Sequence, residues 1–582
     1  MKHKDIAINL FSGRIAVSRV PSLVAHPHDM SRRSLCGSLR FIPEKRIFSD
    51  AHKLFFVLLL GISLGAPAIA LAAPTATPGA APGADQGLLR FTIGSYIVDG
   101  ATLLTKAELD AAVAPYVGKD KDFSDVERAM EAVEAAYAKR GYSAVRVLLP
   151  EQELEKGTVH LRVVESRFGK VTVKDNHFVS EANALNAIPS VRPGGVPRTK
   201  QISRELKLAN ENPARQMNVV LKGGEKADEV DANVIVTDSK PSSWGVSLDN
   251  SGTAETGDIR LGLYYRNANL FEGDHVAGVQ IMTSPQYTDR VKVLGGSYKI
   301  PFYQHSSSLE FFGGYSNVNS VVGGLSNFQG GGRLLSTRYN LMLDRLGVFD
   351  PSLSFGLDWR DYQQIEQSNP PVTVLYNEIV VLPVSVTYAA QGKFTRSNLG
   401  FNASLSANLP DISKGKEVDF AAYDTSGTIM PDAHYSVVRY GANYSRLIGS
   451  DWQFRTILNG QWSSNVLVLG EQIRLGGADA VRAFTEGSEG GDKGARLNLE
   501  CYTPEFGGAF RMRALAFYDA GQVTSNSSSA KTTISGAGVG FRAYYSGRFS
   551  LRIDEARIMK AGNDPLQQKG DWRTHASLNA TF

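Results

Sequence analysis

From Trp244 to Phe582, apolar and polar residues alternate with a period of two. Trp244, Val246 and Leu248 alternate with Gly245, Ser247 and Asp249, and Leu353, Phe355, Leu357 and Trp359 with Ser354, Gly356, Asp358 and Arg360. The last residues repeat the pattern, with Trp572, Thr574, Ala576, Leu578, Ala580 and Phe582 against Arg573, His575, Ser577, Asn579 and Thr581. Two is the period at which side chains share one face of an extended strand. Strands of soluble sandwiches usually run about five to six residues. Many runs here reach the nine to eleven or so that a tilted strand needs to cross a bilayer. In lipid every backbone group must be paired, so such strands have to close into a barrel. Sixteen runs can be counted, near residues 243, 259, 275, 290, 308, 335, 352, 378, 396, 436, 452, 495, 510, 533, 548 and 572. An even count suits a bacterial outer-membrane barrel, and sixteen strands enclose an aqueous lumen. The predicted fold class is therefore a transmembrane β-barrel of sixteen antiparallel strands over residues 241–582.

Ahead of the barrel the period changes. Residues 89–165 open with a strand-like run, Phe91 to Val98, followed by two helix starts. Thr105 with Glu108, and Ser124 with Glu127, have the capping-box spacing. Val126, Met130, Val133 and Tyr137 then fall at helical spacing and Gly141 ends the helix. Strands follow around Val145, Val147 and Leu149 and from Thr158 to Val164. The same order recurs in 166–240: a strand at Val171 and Val173, helices over Ser180–Ala187 and Thr199–Ala209, and a hairpin of Met217–Leu221 with Ala232–Val236. Two α+β modules of similar plan read as a structural repeat. An open sheet edge in such a module can accept an extended chain as an added strand.

The apolar run Leu54–Ala73 is long enough for a membrane helix. Basic residues before it, Pro67 near its end and the small-x-small triplet Ala70-Leu71-Ala72 read instead as a secretory signal, so residues 1–72 form an extended presequence with a signal peptide. Residues 73–88 are a flexible Ala/Pro/Gly-rich leader.

Composition changes this picture little. Of the 62 Lys and Arg and 58 Asp and Glu, residues 1–72 hold ten and four, so the rest is near neutral and no nucleic-acid partner is expected. The two cysteines, Cys36 and Cys501, form neither a disulfide framework nor a CxxC site, and with scattered histidines no metal and no cofactor are expected. Cys36 lies in the presequence and Cys501 on an apolar-facing register. The one GxSxG, Gly61–Gly65, falls in the presequence too, so an enzyme is not expected.

Between the eleventh and twelfth runs lies a long Gly-rich loop, about 467–494, containing Ile473-Arg-Leu-Gly-Gly-Ala-Asp-Ala-Val-Arg-Ala-Phe484. Phe517-Tyr518-Asp519-Ala520-Gly521 follows in the thirteenth run. Alternation puts Phe517 and Asp519 on the lumen side with Arg511 and Arg513, and Tyr518 toward lipid. At these residues the chain resembles the TpsB family, the haemolysin/haemagglutinin secretion-activation transporters of two-partner secretion. That family belongs to a superfamily in which POTRA modules precede a sixteen-stranded barrel. The resemblance covers about residues 89–582, and Asn212-Pro213 with Arg215 is similar to the second POTRA module of the group.

The resemblance implies that the loop enters the lumen with a Val-Arg-Gly-Phe/Tyr motif, here Val481, Arg482, Ala483 and Phe484, with Ala483 in the glycine's place. It implies a Phe-x-Asp partner on the thirteenth strand, here Phe517 and Asp519, with Gly521 following, and a C-terminal strand signal ending in Phe582. A guanidinium and a carboxylate so placed can form a bidentate contact that pins the loop to the wall. The expected protein is a monomeric outer-membrane translocator with its POTRA domains in the periplasm. Its partners would be a TpsA-type, large β-helical exoprotein, the outer-membrane lipid, and the barrel assembly machinery during biogenesis. The alternative is an outer-membrane assembly factor or insertase. By the same resemblance, such factors more often carry about three to five POTRA modules, against two here.

Overall fold

The computed structural model describes residues 90–582 except 154–156, 254, 319–330 and 368–372. The presequence, its signal peptide and the leader lie outside the described residues, as do Cys36 and Gly61–Gly65.

The first module contains β1 (Phe91–Ile93), β2 (Ser95–Asp99), α1 (Lys106–Val113), β3 (Gly118–Lys121), α2 (Phe123–Lys139), β4 (Val145–Leu148) and β5 (Thr158–Glu165). Its sheet has the order β2-β5-β4, with β2 parallel and β4 antiparallel to β5. The opening run is split at Gly94, because β1 turns away to pair with β3, a strand of four mostly polar residues without an alternating signal. Thr105 and Glu108 cap α1 reciprocally. The second box is corrected: α2 starts two residues earlier than Ser124 and Glu127 suggest, because Asp122 and Asp125 exchange the capping hydrogen bonds. Two aspartates do the same work as the Ser/Glu pair, and the carboxylate acceptor is as good a cap as a hydroxyl. Val126, Val133 and Tyr137 have no exposed surface and form the core with Val159 and Leu161.

The second module repeats the plan with β6 (Arg167–Lys174), α3 (Glu181–Asn186), α4 (Thr199–Ala209), β7 (Arg215–Gly223) and β8 (Glu229–Asp238). Its sheet order is β6-β8-β7, again one parallel and one antiparallel pair. The repeat extends to a single carboxylate. Glu165, the last residue of β5, accepts from the amides of Thr102 and Leu103, at 2.7 and 2.9 Å. Asp238, the last of β8, accepts from those of His177, Phe178 and Val179. In each module the closing strand thus pins the loop that leads into the first, shorter helix. Burial opposes ionisation of both groups, but hydrogen bonds prevail and hold each carboxyl below its ordinary range, those of the Thr102 and Tyr137 hydroxyls ahead of the amides at Glu165 and the amides at Asp238.

Apart from two short two-stranded hairpins, Ile365–Gln367 with Thr373–Tyr376 and Ile473–Leu475 with Glu489–Gly491, the remaining strands form one closed antiparallel barrel. It has sixteen staves, counting Ile379–Val381 and Pro383–Lys393 as one eighth strand interrupted at Leu382, since both pair with the seventh, Phe349–Tyr362. The first strand, Ser242–Asp249, meets the sixteenth, Trp572–Thr581, and backbone hydrogen bonds between Trp244 and Phe582 complete the seam. Trp244, Leu263, Leu335, Leu405, Val539 and Trp572 project outward and exposed, as a surface solvated by lipid requires. Asp358, Arg360, Asn498, Asp519, Asp554 and His575 point inward and are buried. Connections at the module end are short, such as Phe271–Asp274. Those at the other end are long and include the stretch 409–435 with its helix, Glu417–Ala421. Tyr518 and Cys501 lie on the outer, exposed face.

The second module is docked onto the short-turn rim. Arg215 has no exposed side-chain surface and meets Asp274, in the turn between the second and third strands, at 2.5 Å. Its other nitrogen donates to Asn183 Oδ1, and Tyr303 of the next rim turn donates to Asp274. Asn212 donates to the Ala268 carbonyl, and Lys207 to that of Pro351.

Candidate functional site

The eleventh strand, Trp452–Trp462, and the twelfth, Lys493–Tyr502, are joined by a segment that turns into the barrel. Two short strands, Ile473–Leu475 and Glu489–Gly491, pair into a hairpin, so the chain between them forms a compact tip. Gly476 and Gly477 adopt φ of +89° and +110°, which lets the tip fold sharply against the wall.

The tip carries Val481, Arg482, Ala483 and Phe484, each at most 3% exposed. The thirteenth strand, Phe510–Thr524, presents Phe517 and Asp519 inward by simple alternation. Arg482 Nε donates to Asp519 Oδ2 at 2.6 Å and Nη2 to Oδ1 at 2.7 Å, a bidentate pair, and the Arg482 amide adds a third bond to Oδ2 at 3.1 Å. Cζ of Arg482 stands 3.5 Å from the centroid of the Phe517 ring, so a cation–π contact covers one face of the guanidinium. Val481 and Phe484 pack with Leu475, Leu515, Val523, Ile534 and Ile558, an apolar patch on the lumen side of the wall.

Two backbone details show how closely loop and wall approach. Ala483 sits at φ +86°, the left-handed region that favours glycine, so the tip keeps a glycine-like turn with an alanine in it. A Cβ on Gly521 would come within 2.8 Å of both Leu475 methyls; the bare backbone there makes room for the loop.

The sequence reading missed several partners. Glu500 of the twelfth strand lies 2.9 Å from Arg482 Nη1, and Asp554 of the fifteenth strand, Phe549–Lys560, lies 3.8 Å away. Asn498 donates both to Asp519 Oδ1 and to the Ala480 carbonyl, tying the pair to the loop backbone. All three stand in the inward phase of their strands, which was the available signal. Asp554 is itself held by Arg542 and Arg552. Arg511 and Arg513 do not touch Arg482; they line a cavity of about 380 Å³ with Arg455, Tyr502 and Arg542, which in turn contact Glu500 and Asp554. Phe582 ends the sixteenth strand at the seam, exposed and edge-on to Phe549 at 6.0 Å.

Comparison with known proteins agrees with this architecture. Residues 228–543 match the family described as haemolysin secretion/activation protein ShlB/FhaC/HecB, and residues 91–166 match the POTRA domain of ShlB type. The heme/hemopexin transporter protein HuxB of Haemophilus influenzae strain 86-028NP is 22% identical over 80% of this chain and 83% of its own length. The outer membrane transporter CdiB of Escherichia coli is 24% identical over 75% of this chain and 73% of its own. Among solved structures, CdiB from Escherichia coli superposes with a TM-score of 0.70 at 21% identity, covering 86% of this chain and 93% of that one. CdiB from Acinetobacter baumannii gives 0.65 at 15% identity, covering 91% and 97%. The chain belongs to the ShlB/FhaC/HecB family of haemolysin secretion/activation proteins, and is an outer-membrane transporter of two-partner secretion with its POTRA domains in the periplasm.

Proposed function

We propose that the two POTRA modules capture an unfolded exoprotein in the periplasm and that it leaves through the barrel, with the lumen loop as the element that yields. The observation carrying this reading is the buried clasp of Arg482 and Asp519. A loop that served only as a surface lid would not take an arginine into the lumen and match it there with two guanidinium hydrogen bonds and one amide hydrogen bond to one carboxylate. Val481, Ala483 and Phe484 seat the tip, Phe517 covers the guanidinium, and Gly521 leaves space for Leu475. The sheet of each module ends in two edge strands, β2 and β4 or β6 and β7, to which an extended segment can add by main-chain hydrogen bonds.

The exoprotein is read as a TpsA-type, large β-helical chain whose folding outside the cell gives the movement its direction. This conduit needs no cofactor and no catalytic residue. One chain encloses a whole lumen, so a monomer suffices. Phe582, terminal and exposed on the outer face, is the element we assign to the barrel assembly machinery.

Two experiments test the reading. Deleting residues 90–240 should abolish secretion of the cognate exoprotein while the barrel still inserts; unchanged secretion removes the capture role, and loss of other barrel proteins from the membrane would favour the assembly-factor alternative. Arg482→Ala should lower secretion and alter channel conductance in planar bilayers with insertion intact. Normal secretion in that variant removes the role of the clasp.

A further inference from the structure

The lumen loop is fastened a second time, at its stem. The Glu471 side chain has no exposed surface. Its Oε1 lies 2.6 Å from Arg360 Nη1 of the seventh strand and accepts from the Tyr362 hydroxyl at 2.9 Å. Its Oε2 lies 3.0 Å from Arg439 Nη2 of the tenth strand, Ser436–Ile448. Its backbone carbonyl accepts from Arg439 and Gln461. Arg360 also reaches Asp358 at 2.6 Å, and Asp358 pairs with Arg338 of the sixth strand, Gly332–Met342. This wall therefore offers three guanidiniums against one carboxylate of its own, and Glu471 is the anion the loop adds. At the tip the signs are reversed: Asp519, Glu500 and Asp554 form the wall around the cation the loop adds.

The two fastenings differ in place as well as in sign. Arg360 and Arg439 stand near the long-loop ends of their strands, whereas Asp519 lies in the middle of the thirteenth. The stem is held from the seventh, tenth and eleventh strands, and the tip from the twelfth, thirteenth and fifteenth. Leu467 and Val468, just before Glu471, pack against Phe420, Tyr423 and Tyr435 of the 409–435 segment, so the stem and that segment share one apolar core at the long-loop end.

We propose that Glu471 is a positioning residue, the second anchor of a two-ended strut whose acidic stem meets a basic wall near the outer mouth and whose basic tip meets an acidic wall deeper in the lumen. A loop held at one end pivots about it; anchors on two walls remove that freedom. The proposal rests on the reading that the loop obstructs the lumen at rest. Its distinguishing consequence is electrical. Neutralising Glu471 leaves Arg439 without its carboxylate and Arg360 with only Asp358, which it shares with Arg338, whereas neutralising Arg482 leaves Asp519 without its cation and Glu500 with Arg455 alone. The same loop thus yields opposite ion preferences according to which end is cut.

The test is single-channel recording of the purified full-length protein across a KCl gradient. Glu471→Gln should raise open probability about tenfold or more, as expected when a buried charge loses its partner, and shift the reversal potential toward chloride selectivity. Arg482→Gln should shift it toward potassium. Glu471→Asp keeps the charge and should retain the native reversal potential. Arg439→Gln, at a partly exposed position that the fold tolerates, should raise open probability by a smaller factor. If Arg482→Gln alters the channel while Glu471→Gln and Arg439→Gln do not, the second anchor is overturned and the reading of the loop stands. If none of the three differs from the native channel, the reading of the loop falls as well. Should Glu471→Gln fail to insert, an unchanged Arg439→Gln overturns the anchor by itself.

Discussion

Two of the buried arginine–aspartate pairs join separate parts of this molecule, and they are built differently. Arg215 and Asp274 join the second POTRA module to the barrel rim; Arg482 and Asp519 join the loop to the lumen wall. Both arginines are at most 2% exposed. The companions of the first pair are neutral, the Asn183 amide and the Tyr303 hydroxyl. Those of the second include further charges, Glu500 and Asp554, and through Asp554 also Arg542 and Arg552. Removing one member of an isolated pair strands its partner, while in a network the remaining charges can re-pair. The joint is therefore constructed to stay, and the clasp to let go and re-form.

That contrast can be broken from its strongest end. Arg215→Ala leaves Asp274 buried beside a hydroxyl and no cation, and should cost about 3–5 kcal/mol at the joint. The expected result is a POTRA pair released by limited proteolysis at much lower protease concentration, with the barrel still showing its folded mobility on cold gels. Asp519→Asn should cost less, about 1.5–3 kcal/mol, since Asn498 and Glu500 remain to receive the loop. It should be read as faster proteolysis within 476–488, with the POTRA joint unaffected. If both variants loosen the same region, the two pairs are not independent.

Two smaller changes sharpen the comparison at the clasp itself. Gly521→Ala places a methyl against the movable Leu475 side chain and should destabilise the seated loop by about 1 kcal/mol, read as faster proteolysis within 476–488. Ala483→Gly relieves the left-handed alanine but loses a buried methyl, and should lie within about 1 kcal/mol of the native protein on the stabilising side. A gain in the temperature of heat-modified gel mobility checks it; a marked loss would show that the alanine methyl matters more than its backbone angle.

Much of this was legible before any coordinates. Alternation located all sixteen staves, because inward and outward phases are a local property of each strand. It also put Phe517 and Asp519 inward. The split of the first run at Gly94 was not legible, since it depends on β3 approaching from twenty-five residues away. Nor was the start of α2, where two adjacent acidic and hydroxyl caps compete for the same turn. The roles of Glu471 and Arg215 stayed hidden for the same reason on a larger scale. Each is one charge among many, and its partners lie 111 and 59 residues distant in the chain.

By itself, the sequence determined which residues face lipid, which face water, and where a long glycine-rich segment interrupts the pattern, because strand periodicity and turn chemistry act over a few residues. The tertiary structure alone decided which inward charges meet. Closing the ring sets every strand's height against its neighbours, and only then does a loop cation find three carboxylates on one wall while its stem anion finds two arginines on another. Pairing between buried charges depends on ångström-scale distances that no local pattern records.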